Sequence, residues 1–208
     1  MNRHRLASPF FRLVVPRRLL LLLTLMALAV LASGCGYNEV IERDEDVKAA
    51  WAEVQNQYKR RSDLIPNLVK VVQGAASFEK ETLQQVIEAR SKATSIQVDS
   101  SIVDDPQRLQ QFNQAQQQLG GALSRLLVVA ERYPELKASA QFRDLQSQIE
   151  GTENRIAVAR KRYIEAVAEY NKVVQRFPTS IGAGLRNKSV RPTFEAAPEL
   201  EKPPEINL

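Results

Sequence analysis

The chain has 208 residues, with 29 Lys plus Arg against 24 Asp plus Glu, one cysteine and one histidine. Cys35 is the only cysteine and His4 the only histidine, so no internal disulfide can form, and the part of the chain beyond Cys35, which holds neither, cannot by itself form a thiolate or imidazole zinc site, a Cys-His or Ser-His-Asp catalytic set, or the Glu-x-x-His pairs of di-iron bundles. All of the formal +5 sits on Arg3, Arg5, Arg12, Arg17 and Arg18; removing those five leaves 24 cations against 24 carboxylates, so nothing beyond Cys35 argues for nucleic-acid binding.

The first element in chain order is an export signal. The five arginines precede any acidic residue, an apolar run follows from Leu19 through Ala32, and Ser33, Gly34 and Gly36 bring small residues around Cys35. The run is about fourteen residues long, short of the roughly twenty that a bilayer-spanning helix needs. Leu31-Ala-Ser-Gly-Cys35 resembles a lipobox, although Ala32 stands where that motif usually has leucine, with Leu31 one place further back. The expectation is cleavage after residue 34 and lipidation of Cys35. Several acyl chains, at about 0.8 kcal/mol per buried methylene, hold a protein to a membrane where one chain would not. Gly36 beside the lipidated cysteine points to the periplasmic face of the outer membrane in a cell with two membranes. The alternative is an uncleaved single-pass anchor in the inner membrane with an external domain.

Beyond a short linker at 35–38, the pattern is helical. Positions 47, 51, 54, 58, 61, 65, 68 and 72 step by alternate fours and threes and hold Val, Trp, Val, Tyr, Arg, Ile, Leu and Val. A second seam runs from Leu109 through Phe112, Gln116, Leu119, Leu123, Leu126 and Ala130 to Tyr133. A third runs from Phe142 through Ile149, Thr152, Ile156, Tyr163 and Tyr170 to Phe177. Seams of this period predict helices packed side by side with coiled-coil-like contacts. Asp104-Asp105-Pro106 supplies capping oxygens and then proline at the first helical position, Tyr133-Pro134 marks a turn into the last helix, and Ser77 can cap the segment containing Leu83, Val86 and Ile87. Gly74 and Gly120-Gly121 read as breakers. The reading is an all-α chain of four helices, at about 39–74, 77–98, 105–132 and 135–177, the first kinked at Pro66. A tail over 179–208, rich in Gly and Pro, is expected to be extended or flexible, lying across the bundle through Phe194 and mobile toward its end.

Three passages resemble the LemA family of bacterial envelope proteins: Trp51 through Val69 with its Arg-Arg-Ser-Asp-Leu-Ile-Pro-Asn-Leu core, Glu131 through Ala138, and Thr152 through Arg160 followed by Tyr170-Asn171 and Phe177-Pro178. Glu88-Ala-Arg90 and Phe194-Glu-Ala196 add to them. The resemblance implies an elongated antiparallel helical bundle over 39–178, displayed on the outer face of a membrane, with no defined reaction. Family members more often keep an N-terminal membrane helix, so the lipobox departs from the family in its mode of anchorage.

Arg60, Arg61, Asp63 and Asn67 crowd around Pro66, and Glu153 and Arg160 belong to the third passage. These six are expected to form a structural polar network rather than a recognition site. A proline inside a helix frees a carbonyl, and a charge in a core register must be paired, so Arg61 requires a carboxylate on a neighbouring helix. Trp51, Tyr58, Tyr163 and Tyr170 read as packing. Glu131 has no second carboxylate placed to work with it. The expected function is therefore that of a non-catalytic envelope scaffold that binds an envelope protein and uses no cofactor and no metal. The competing reading is a hydrolase or lipid-handling protein using carboxylate, Ser, Lys or Arg side chains.

Overall fold

Every position of the first seam, from Val47 to Val72, is buried, and so is every one of the second from Leu109 to Ala130. The computed structural model describes residues 17–75, 78–97 and 99–194, without the side chains of 19, 20, 27–37 and 100. Among the described residues there are helices and turns and no strand: α1 (Arg17–Gln73), α2 (Lys80–Ser95), a 3-10 turn (Ser100–Asp104), α3 (Pro106–Ala130), α4 (Pro134–Ala138), α5 (Ala140–Gln175) and α6 (Thr179–Leu185).

Side-chain pairs fix the topology. Trp51 meets Tyr163 and Arg61 meets Glu153, so ten residues forward along α1 are ten back along α5, and the two run antiparallel. Tyr58 meets Phe112 and Arg61 meets Gln116, so α1 and α3 run parallel. With α2 descending between α1 and α3, the four longer helices form an up-down-up-down bundle. Apolar side chains gather in two clusters. One, around Trp51, Phe112, Tyr163 and Phe194, lies toward the chain's N-terminal end of α1; the other, around Ile65, Leu119, Leu126 and Phe142, lies toward its far end. Buried Arg61, Ser62, Gln116 and Thr152 form a polar layer between them.

Several expectations are corrected. Asp105 caps α3, accepting from the amides of Gln107 at 2.9 Å and Arg108 at 3.1 Å, with Pro106 first in the helix. The last long helix, however, is divided. Ser139 adopts an extended conformation and its hydroxyl accepts from the Phe142 amide, so α4 ends and α5 begins there. A side chain that bonds its own downstream backbone competes with helix continuation. Gly120 and Gly121 break nothing and lie inside α3. The segment 179–185 is helical rather than extended, while residues 188–194 have no regular secondary structure and lie against the bundle through Arg191, Pro192 and Phe194. Ser77, the rest of the tail and residues 1–16 lie outside the described residues.

Helix α1 continues through Pro66. Proline has no N–H to give the carbonyl four residues back, which is that of Ser62. Arg90 of α2 donates to that carbonyl through Nε at 3.0 Å, so the gap in one helix becomes a tie to another. Replacing Arg90 with Met should therefore cost about 1–2 kcal/mol, the penalty for leaving a largely buried carbonyl unmet. In a Pro66→Ala background the alanine N–H meets the carbonyl and the cost should fall by at least half. Urea unfolding of the four chains measures this coupling, and equal costs in both backgrounds would refute the tie.

Candidate functional site

The polar layer is built around the one charged position of the first seam. Arg61 exposes 2% of its surface. Its Nη1 donates to Glu153 Oε1 at 2.7 Å, and its Nη2 donates to both the side-chain oxygen of Gln116 at 2.6 Å and the Gln116 carbonyl at 3.1 Å. Its guanidinium also lies 5.1 Å from the Tyr58 ring centre, within cation–π reach. One arginine thus links α1, α3 and α5.

Arg160 makes a second bridge one level lower. Its Nη1 donates to Asn113 Oδ1 of α3 at 2.9 Å and to the Tyr58 hydroxyl of α1 at 3.2 Å, and its guanidinium covers the Phe194 ring at 4.2 Å. Arg61, Glu153 and Arg160 line an open groove of about 670 Å³ between α3 and α5, floored by Tyr58 and Ile156. Arg60, Asp63 and Asn67 do not join this network: all three are exposed on α1. Of the six expected members, the structure brings together Arg61, Glu153 and Arg160, and adds Gln116, Asn113 and Tyr58. Cys35 lies within the backbone of α1, but its side chain lies outside the described residues.

A third polar centre had no signal in the sequence reading. Arg191, 4% exposed, donates through Nε to Asp104 Oδ1 at 2.6 Å and pairs through Nη2 with Asp44 Oδ1 at 2.8 Å, while its guanidinium covers Tyr170 at 4.6 Å. Lys48 at 3.0 Å and Lys188 at 3.2 Å complete the surroundings of buried Asp44. Burial alone pushes the Asp44 carboxyl up; the Lys48 hydrogen bond and the charges of Arg191 and Lys188 outweigh it and hold the carboxyl below its ordinary range. Burial also pushes the Tyr163 and Tyr170 phenols up, so both stay neutral.

The backbone of Arg191 is held as well. Asn171 accepts from its amide at 2.8 Å and donates to its carbonyl at 3.0 Å, and the Tyr163 hydroxyl donates to the Pro192 carbonyl at 3.4 Å. Phe194 then packs against Trp51 and Tyr163, with ring centres 6.1 and 5.3 Å apart. Asn171 stood beside Tyr170 in a recognised passage, but only the fold shows that it clamps the tail.

Chemically, these centres are cross-links. In the groove Glu153 is bound to Arg61, and Glu165 is exposed beside Lys161 at 3.9 Å. Glu131 is exposed and paired with Lys137. Among the described residues, no group of three or more carboxylate, His or Cys side chains is placed to hold a metal ion. A family model described as LemA family matches residues 50–208. No curated protein matches the chain.

Proposed function

Because the chain belongs to the LemA family, we propose that it is a non-catalytic scaffold of the bacterial cell envelope, attached to a membrane by acyl chains on Cys35 and docking an envelope protein with its helical bundle. The supporting observation is the use made of the interior polar groups: Arg61, Arg90, Arg160 and Arg191 each tie together separate elements. Charges committed to holding helices in register stabilise a rigid surface and are not poised for turnover. The competing hydrolase reading would need convergent carboxylates in the α3–α5 groove, where Glu153 is engaged by Arg61. With Gly36 after the lipidated cysteine, the outer membrane's periplasmic face is the proposed site.

Two measurements test this. Metabolic labelling with palmitate should mark the parent protein and be lost in Cys35→Ser, whose bundle should remain helical by circular dichroism. Persistent labelling of that variant, or an unlabelled parent retaining residues 1–34, would establish an uncleaved helical anchor instead. Crosslinking in intact cells should capture an envelope protein equally well with Glu153→Gln and Glu165→Gln. Hydrolysis of an envelope lipid or polymer by the purified chain, abolished by either substitution, would overturn the non-catalytic reading.

A further inference from the structure

From Lys188 onward the chain retraces the bundle in one direction. Lys188 meets Asp44, Arg191 meets Asp44 and is clamped by Asn171, the Pro192 carbonyl accepts from Tyr163, and Phe194 packs on Trp51 under the Arg160 guanidinium. Each step runs up α1, from Asp44 to Trp51, and back along α5, from Asn171 through Tyr163 to Arg160. On its other side the segment borders α3. Arg191 pairs with Asp104 just before that helix, and Pro192 and Phe194 share a hollow with Pro106, Gln110 and Asn113. Residues 191–194 therefore lie in the lower part of the crevice between α3 and α5.

The upper part of that crevice is the groove of about 670 Å³, and Arg160 stands at the boundary, covering Phe194 and lining the groove. Past Arg160 the groove continues along α5 to Glu153, about 10.5 Å further at the helical rise. Its floor is apolar, and its charged lining is Arg61, Arg160 and Lys161 against Glu153 and Glu165; α3 offers only the neutral Gln116, Gln117 and Gly120. Glu153 holds Arg61, and Glu165 lies beside Lys161. Arg160 is left over. Half-buried, it donates to the neutral oxygens of Asn113 and Tyr58, and among the described residues no carboxylate pairs with it. A cation held at the mouth of a partly desolvated groove favours an anionic group beside it.

The sequence that follows Phe194 has the matching chemistry. It reads Glu195-Ala-Ala-Pro-Glu-Leu200 and lies outside the described residues; from 195 to 208 the chain carries four glutamates and one lysine. A carboxylate comes first, at the mouth. Small apolar side chains follow, and Pro198 has no N–H to strand on an apolar floor. A residue before proline, as Ala197 is, favours extended backbone, and four extended residues at about 3.3 Å each cover the distance to Glu153.

We propose that the α3–α5 groove is the seat of the chain's own segment Glu195–Leu200, with the Glu195 carboxylate meeting Arg160 and Ala196 to Pro198 lying over Tyr58 and Ile156. Continuity selects this occupant: the tail already lies in the adjoining length of the same crevice, and Phe194 stands at the groove's mouth. While seated, the segment closes the groove to other ligands, however the chain is anchored. A partner that uses this face must displace it, with a carboxylate ahead of small apolar residues of its own.

The test uses the full chain, purified in detergent, with a photoreactive diazirine side chain at Gln117 on the α3 wall of the groove. Illumination should join residue 117 to residues 195–200 of the same chain, located by mass spectrometry of the digest. The same side chain at Val158, which is exposed and faces the hollow bordered by Glu53 and Gln57 of α1 instead, should give about ten-fold less of that product, because a seated segment has a high effective concentration at one wall only. Glu195→Lys should lower the yield at 117 about five-fold or more, since it sets a cation against Arg160 and Lys161. Circular dichroism checks that each variant is helical. Equal yields at 117 and 158, or no product at 195–200 on a helical chain, overturns the seat. An unchanged yield in Glu195→Lys overturns the pairing with Arg160 and the seat with it. Product that joins isotopically heavy to light copies in a mixture assigns the groove to the tail of a second copy and overturns the seat within one chain.

Discussion

Replacing Arg191 with Ala is expected to release the tail from the bundle and lower stability by about 3 kcal/mol, the lower end of the range for breaking a buried ion pair. The estimate sits at that end because Asp44 keeps Lys48 and Lys188 after the guanidinium is gone. Asp104, whose side chain is 57% exposed, can turn to water. The signal is built in: Trp51 is the only tryptophan and packs against Phe194. In the variant its emission should shift to the red and its quenching by acrylamide should rise. Acid should act in the same direction. Asp44 has its carboxyl pKa held below the unfolded value, so its stabilisation is complete above that value, near 3.8, and is lost as pH falls through the lower folded value. The parent's Trp51 emission should therefore move toward that of the variant below about pH 4, with Asp44→Asn removing part of the acid response. An Arg191→Ala chain with unchanged emission and a stability within about 0.5 kcal/mol of the parent would show that the tail is held by Phe194 and Asn171 alone.

The second large effect is expected at Arg61. A fully enclosed pair would cost about 3–5 kcal/mol on losing one member, but Glu153 is 43% exposed at its side chain and can be rehydrated, which lowers the expectation for Arg61→Ala to about 2–3 kcal/mol. What remains is the loss of two charged hydrogen bonds to buried Gln116 and the space left by the side chain. The pair is asymmetric. Glu153→Ala leaves a guanidinium that is only 3% exposed, so it should cost at least as much, whereas Glu153→Gln keeps an acceptor and should cost less than about 1 kcal/mol. The double variant should be less destabilised than the sum of the single ones, because the two share one interaction. Chemical denaturation of the set decides this. An Arg61→Ala chain as stable as the parent that loses its crosslinked neighbour would make Arg61 a reader of a ligand in the α3–α5 groove.

The sequence by itself determined the helical class, the three seams, the Asp105 cap and the need for a partner at Arg61, because each is a local or periodic property. A helix repeats its faces every three to four residues, so the apolar face can be read without knowing what it meets. It also determined the exclusion of thiol and imidazole chemistry. What it could not supply was any pairing between distant elements. Glu153 lies 92 residues from Arg61, and Arg90 finds the carbonyl that Pro66 abandons only because α2 folds back beside α1. The Asp44–Arg191–Asp104 centre left no mark in the sequence as a centre, since Asp44 and Arg191 read as ordinary surface charges and Asp104 reads as part of the cap before Pro106. Phe177 shows the converse: it continues a seam in the sequence and leaves it in space, because the helix stops two residues earlier. Periodicity specifies which face is buried. Which polar group is stranded there, and what meets it, depends on the register between helices, and that register is set only when the whole bundle closes.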